Sequence, residues 1–194
     1  NDATLVDAKS SPNVVLNIDA TADGGARLQN FKIPSRKMCL QCHNSSVGFV
    51  RSVRTEQINR EFATTNQLIK WNTLNLFEKD IGSIDKFIKF SSLTDPNTSL
   101  EERTKTYLDV NCAHCHNPDP AAMCNFTGID FRYDKFNVES LVASEHLVKG
   151  SKEASVIFQR MSSEQPGLRM PYIGSQLKDN LALDVIGAWI DGLR

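Results

Sequence analysis

Two pentapeptides constrain this chain more than anything else in it: Cys39-Leu40-Gln41-Cys42-His43 and Cys112-Ala113-His114-Cys115-His116. Each has the spacing C-x-x-C-H, the attachment signature of c-type haem. Two thiols so placed can add to the two vinyl groups of one porphyrin. The His that follows then lies under the iron as its proximal ligand. The whole chain holds only five cysteines and four histidines. Four of those cysteines and two of the histidines stand at the signature positions. The doubling therefore predicts two covalently bound c-type haems, one on Cys39, Cys42 and His43, the other on Cys112, Cys115 and His116.

The strongest rival is a zinc site built from Cys39, Cys42, Cys112 and Cys115. Zinc ribbons separate their cysteine pairs by roughly 15–20 residues, whereas residues 43–111 lie between these two pairs. Zinc also gives no reason for a His directly after each pair. A thioredoxin-like dithiol belongs in a βαβ setting, and no such pattern is present.

At 194 residues and a net charge of −1, the chain has neither a basic field to recruit nucleic acid nor a strongly acidic tail. Its longest apolar stretch, Leu181–Ile190, is interrupted by Asp184 and is too short to span a bilayer. No signal peptide is visible and the first residue is Asn1. Covalent haem attachment takes place outside the cytoplasmic membrane, so the expectation is a bacterial periplasmic or extracellular protein. The visible chain would then be a mature product or part of a longer polypeptide. The odd cysteine, Cys124, is expected to be buried as a small hydrophobe. Pairing with another chain is the alternative.

The pattern predicts a mainly α fold of two small haem units with a short β hairpin at the N-terminus. Residues 1–36 form a β-rich lead segment. Val14–Ile18 and Arg27–Ile33 read as strands about an Asp23-Gly24-Gly25 turn, and Thr4-Leu5-Val6 is strand-like. The lead segment should pack on the first haem unit, residues 37–92, or on further sequence. That unit carries expected helices over 55–62 and 65–77, with Leu68, Trp71, Leu74 and Leu76 on one face. Trp71 and Phe77 are core residues, walls of the haem site, or both. Ser91–Thr98 reads as a linker. Ser99-Leu100-Glu101-Glu102 is a capping box opening a helix that runs into Cys112. Ser151 caps a short helix bearing Val156, Ile157 and Met161. A last helix over 177–193 sets Ala182, Val185, Ile186, Trp189 and Leu193 on one stripe.

Residues 97–194 resemble a class I cytochrome c. A capped helix, C-x-x-C-H, a variable middle, Arg169-Met170-Pro171 and a final amphipathic helix come in that family's order. The resemblance implies that Met170 is the distal ligand of the second iron. It also implies that the first and last helices cross, with Tyr107 meeting Trp189 and Gly187 allowing close approach. The N-terminal half does not fit that family, since no capped helix leads into Cys39. Its Pro34-Ser35-Arg36 and Thr55-Glu56-Gln57-Ile58-Asn59 segments resemble a haem unit of exported bacterial proteins of unassigned function. There a similar unit precedes a class I module and often follows other domains.

For the first haem no distal ligand stands nearby. His146, His114, Met161, Met123 and Met38 remain; Met38 adjoins Cys39 and would lie on the proximal side, Met161 and His146 rank equal as candidates, and His114 stands behind them. A five-coordinate iron, or a ligand from another chain, stays open. The leading functional expectation is electron transfer, with redox partner proteins or an adjoining catalytic domain as partners. Self-association would place the haems in a wire. The alternative is a dihaem peroxidase-like enzyme or a gas sensor with an open coordination site at the first haem.

Overall fold

A computed structural model describes residues 4–18, 27–50, 53–165 and 167–194. Among them are seven α-helices and two two-stranded antiparallel hairpins, so the architecture is mixed, with helix the dominant regular element. The first hairpin pairs β1 (Asn13–Ile18) with β2 (Arg27–Lys32), Asn13 opposite Lys32 and Ile18 opposite Arg27. Both strands fall where the sequence predicts them. The Asp23-Gly24-Gly25 turn lies outside the described residues, and Thr4–Val6 is in no strand.

Residues 7–12 run along the start of α1 (Arg36–Cys42). The Ser35 N–H donates to the Ser11 hydroxyl at 3.1 Å, and the Lys37 N–H donates to the Ala8 carbonyl at 3.3 Å. The lead segment thus docks on the helix that carries the first pentad. That helix corrects the expectation that no capped helix leads into Cys39. Ser35 is its N-cap, with Oγ accepting from the Met38 N–H at 3.3 Å. The signal was a Ser directly after Pro34, in a helix of only two turns.

The next helices are shorter than their apolar spacing predicts. α2 (Thr55–Ile58) stops at Asn59, which is buried and committed to side-chain bonds. The Asn59 amide donates to the Phe87 carbonyl at 3.0 Å and accepts from the Asn66 amide at 3.0 Å. Instead of continuing, the chain forms a second hairpin, β3 (Glu61–Phe62) with β4 (Thr65–Asn66), turning through Ala63 at φ 58°. Asn66 then caps α3 (Gln67–Thr73). This helix ends before Asn75, whose φ of 54° is left-handed. Leu68 is fully buried, but Leu74 and Leu76, expected on the same face, are exposed.

The C-terminal half contains the main apolar core. α4 (Leu100–Asn111) packs on α7 (Asn180–Gly192), and α6 (Val156–Ser162) packs on α7 as well. Leu108, Ile157, Met161, Ile186, Trp189 and Ile190 meet between them. Ser99 caps α4 as predicted, accepting from the Glu102 N–H at 3.1 Å. The Glu102 carboxylate does not complete the box but accepts from the Tyr133 hydroxyl. Asp179 caps α7, so that helix begins later than its apolar stripe suggests. Ser155, not Ser151, occupies the N-cap of α6. A short helix, α5 (Val138–Ala143), capped by Asn137, was not foreseen.

Two packing expectations are corrected. The ring against Trp189 is Phe136, with centroids 5.8 Å apart. Tyr107 instead bonds Asp179; burial, together with that carboxylate, raises its hydroxyl pKa. Gly187 does permit a close approach, but to α6 rather than α4. A Cβ there would lie 2.9 Å from Lys152 Cδ and 3.0 Å from the Phe158 ring.

Polar contacts join the two halves: the Ser91 N–H donates to the Thr106 hydroxyl at 3.3 Å, and a buried carboxylate on α4 meets Arg54. Asp109 on α4 is buried and accepts from the Arg54 guanidinium, and from the Tyr133 N–H at 2.8 Å. Burial pushes its carboxyl above the usual range, against the opposing pull of Tyr133 and Arg54.

Trp189 is 4% exposed, and removing a buried Trp side chain costs about 3–5 kcal/mol. Trp189→Ala should lose stability on that scale in denaturant unfolding. A loss below about 1 kcal/mol, the range of ordinary surface changes, would show that α7 does not hold the core. Asp109→Ala leaves the Tyr133 N–H without its acceptor and Arg54 with Glu56 alone, and should cost about 1–3 kcal/mol in the same measurement.

Candidate functional site

Each pentad closes on itself through one helical turn. In the first, the His43 N–H donates to the Cys39 carbonyl at 2.9 Å; in the second, the His116 N–H donates to the Cys112 carbonyl at 2.9 Å. The first pentad is the end of α1 and the residue after it. The second hangs from the C-terminal end of α4. Both histidines therefore follow their thiols in the same local geometry.

The first pentad lines a cavity of about 610 Å³, with Cys39, Cys42 and His43 on one side and His114, Tyr107, Met161 and Met170 among its other walls. Cys39 and His43 are exposed, so this site opens to solvent. The His43 ring is held from behind, with Nδ1 2.9 Å from the Phe49 carbonyl. A neutral imidazole can meet that oxygen by donating from Nδ1, which leaves Nε2 as its lone-pair donor. The loop that delivers the carbonyl turns sharply. Asn44 accepts from the Phe49 N–H at 2.8 Å through its backbone, and Gly48 and Phe49 both take φ 64°.

The second pentad lines an apolar slot of about 130 Å³ with Cys112, His116, His146, Met161 and Met170. Burial, reinforced by His146 and His114, takes the His116 imidazole down to about 4. Burial pushes the Cys112 thiol up to about 12. Both groups are uncharged at neutral pH, the state in which an imidazole ligates a metal. The His116 ring packs edge-on against Phe131, with centroids 5.5 Å apart.

The two pentads touch. Donor atoms of Cys42, His114 and Cys115 all lie within 4.8 Å of one another. This is the metal-type grouping found among the described residues, and it is not the four-cysteine set of a zinc ribbon. Cys124 is buried beside it, its N–H donating to the Cys115 carbonyl at 3.0 Å and its thiol raised by burial and by Cys42.

The remaining candidates separate by position. Met170 borders both the cavity and the slot, as does Met161. His146 borders the slot at the second pentad and is not among the walls of the first cavity; its Nδ1 lies 3.0 Å from Ser144 Oγ. Trp71 and Phe77 pack on each other, with centroids 6.4 Å apart, and neither lines the first cavity. The loop after Met170 closes over the first half, since Pro171 to Gln176 share walls with Lys32, Pro34 and Met38.

The donors fit a c-type haem at each pentad: paired thiols and a following imidazole, with methionine sulfur and the His114 imidazole among the other lining groups of the first cavity and Met161 and Met170 in the slot. The first cavity also has the volume of an ordinary small-molecule site, about 300–1,000 Å³. The slot at the second pentad is narrower than that and must widen to admit a macrocycle. No known protein family, curated protein or solved structure matches the chain.

Gly48 has open space around its Cβ position but a left-handed φ, which costs an L-residue about 1–2 kcal/mol. Gly48→Ala should destabilise the loop by that amount and loosen His43. The check is the His43 ring signal in NMR, which should lose its single fixed tautomer; an unchanged signal would show that the Phe49 carbonyl does not hold the ring.

Proposed function

We propose that this chain is a dihaem c-type cytochrome that carries single electrons between redox partners. The observation that carries the reading is the doubled pentad folded twice into the same turn, with each His placed directly after its thiols. A haem bound at each pentad supplies a one-electron ferric–ferrous couple. Cys39 and Cys42 hold one haem and Cys112 and Cys115 the other, while His43 and His116 are the proximal ligands. Phe49 orients His43 through its carbonyl. Phe131 and Ile129 keep water from His116.

Residues 97–194 are proposed to be a class I-like module, in which Met170 provides the distal thioether of the second iron. The packing of α4 on α7 and the presence of Met170 with His116 in the lining of the slot support this. The two pentads lie in contact, the arrangement a pair of one-electron centres needs. The first site's exposure suits exchange with partners through a small, transient interface. Covalent attachment places the protein outside the bacterial cytoplasmic membrane, in the periplasm or beyond. Among the described residues no helix is long and apolar enough to cross a membrane.

Mass spectrometry of the denatured protein should show two haem additions. None, with stoichiometric zinc instead, would replace this reading with a structural metal site. Met170→Ala should abolish the weak thioether-to-iron charge-transfer band at the red edge of the ferric spectrum and lower the potential of one haem only. A band that survives would assign the ligand to another residue, Met161 being its neighbour in the slot. A wild-type protein with one high-spin iron would move the chain towards the peroxidase-like or gas-sensing alternative.

A further inference from the structure

We infer that His114 is the second axial ligand of the iron held at the first pentad, so that the segment attaching one haem completes the coordination of the other. The inference rests on the dihaem reading and goes beyond it. His114 stands between Cys112 and Cys115, and cannot turn back over the iron of its own pentad. Its side chain instead reaches the first site. It lines the large cavity together with Cys39, Cys42 and His43, and it lines a second cavity that His43 also borders.

Its chemistry is that of an unfinished ligand. His114 Nδ1 is buried and has no hydrogen-bond partner among the described residues. A buried polar nitrogen is costly unless something accepts or binds it. A donor atom of His114 lies within 4.8 Å of Cys42 Sγ, which places the ring beside the first pentad rather than in solvent.

The other candidates are placed elsewhere, and Met123 lines neither the first cavity nor the slot. His146 faces the second pentad and has Ser144 Oγ at 3.0 Å. Met161 and Met170 both border the slot with His116, and Met161 belongs to the apolar core. Met38 precedes Cys39 on the same helix, and its sulfur accepts from the Ser11 hydroxyl at 3.4 Å. Among these residues, His114 borders the first cavity without also bordering the slot, and it does not belong to the first pentad's own helix. The first haem is then ligated by two imidazoles, and the second by one imidazole and a thioether.

The test compares the purified holoprotein with His114→Ala and His114→Met. Haem count by mass is read first. If the wild-type chain carries no haem, the dihaem reading itself falls, whatever the variants do. If it carries two, the ferric electron paramagnetic resonance and visible spectra decide. Wild type should be fully low-spin. His114→Ala should keep both haems and the Met170 band but turn one of the two irons high-spin, and added imidazole should restore the low-spin signal. An Ala variant in which both irons stay low-spin overturns the assignment, as does a wild type that already has one high-spin iron unchanged by the substitution. Should the Ala variant not accumulate, His114→Met decides. A second thioether charge-transfer band and a raised potential at one haem support the ligand, and an unchanged spectrum overturns it.

Discussion

A buried carboxylate ties the two halves of this molecule together. Asp109 lies on α4, one turn before Cys112, and accepts from Arg54 of the first half and from the Tyr133 N–H of the second. Arg54 also lies over the Phe90 ring, 5.3 Å from its centroid, and Phe90 in turn packs on Tyr133. A buried charge needs its partners in place, because removing one leaves the other uncompensated. The contact therefore sets where the first half sits relative to the end of α4. The end of α4 is where the second pentad begins, so the same contact decides that Cys42 meets His114 and Cys115. The first half has few apolar residues of its own to hold it, with Ile58 and Leu68 its buried hydrophobics among the described residues. Polar groups, the Asn59–Asn66 pair and Asp109, do much of that ordering.

The parts of the fold that were legible in the sequence are those in which local chemistry and tertiary packing agree. Ser99 before an apolar helix and the stripe of α7 fall into this group. The rest was hidden where a side chain found a better partner far away in the chain. Asn59 left helical pairing to bond Phe87, which cut α2 short and admitted the second hairpin. Glu102 left its capping box for Tyr133. Phe136, from a stretch with no periodicity, took the place expected for Tyr107 against Trp189. Spacing records which residue types can share a face, but not which of two suitable partners is nearer in the folded chain.

The candidate site divides the same way. The thiols and proximal histidines are legible because attachment chemistry demands that spacing within five residues. The distal side is built by residues from separate elements, and only the tertiary arrangement sorts them. His146 lies in a polar stretch that says nothing about direction; Ser144 and the slot place it with the second pentad. His114 is hidden in the sequence because it stands inside a motif whose intervening residues carry no attachment role.

The two sites differ in ways that give the proposed electron path a direction. At the first, Cys39 and His43 are exposed, and the proposed iron there would take two imidazoles. Water and imidazole both stabilise the ferric state, whose charge is higher. The second lies in a narrow apolar slot, where Met170 would offer a soft thioether that favours ferrous iron. The first centre should therefore sit at the lower potential, so an electron entering from solvent-side partners runs downhill towards the buried centre. The contact between the pentads lies on that route. Asp109, which meets Arg54 one turn before Cys112, would then bear on transfer between the proposed centres.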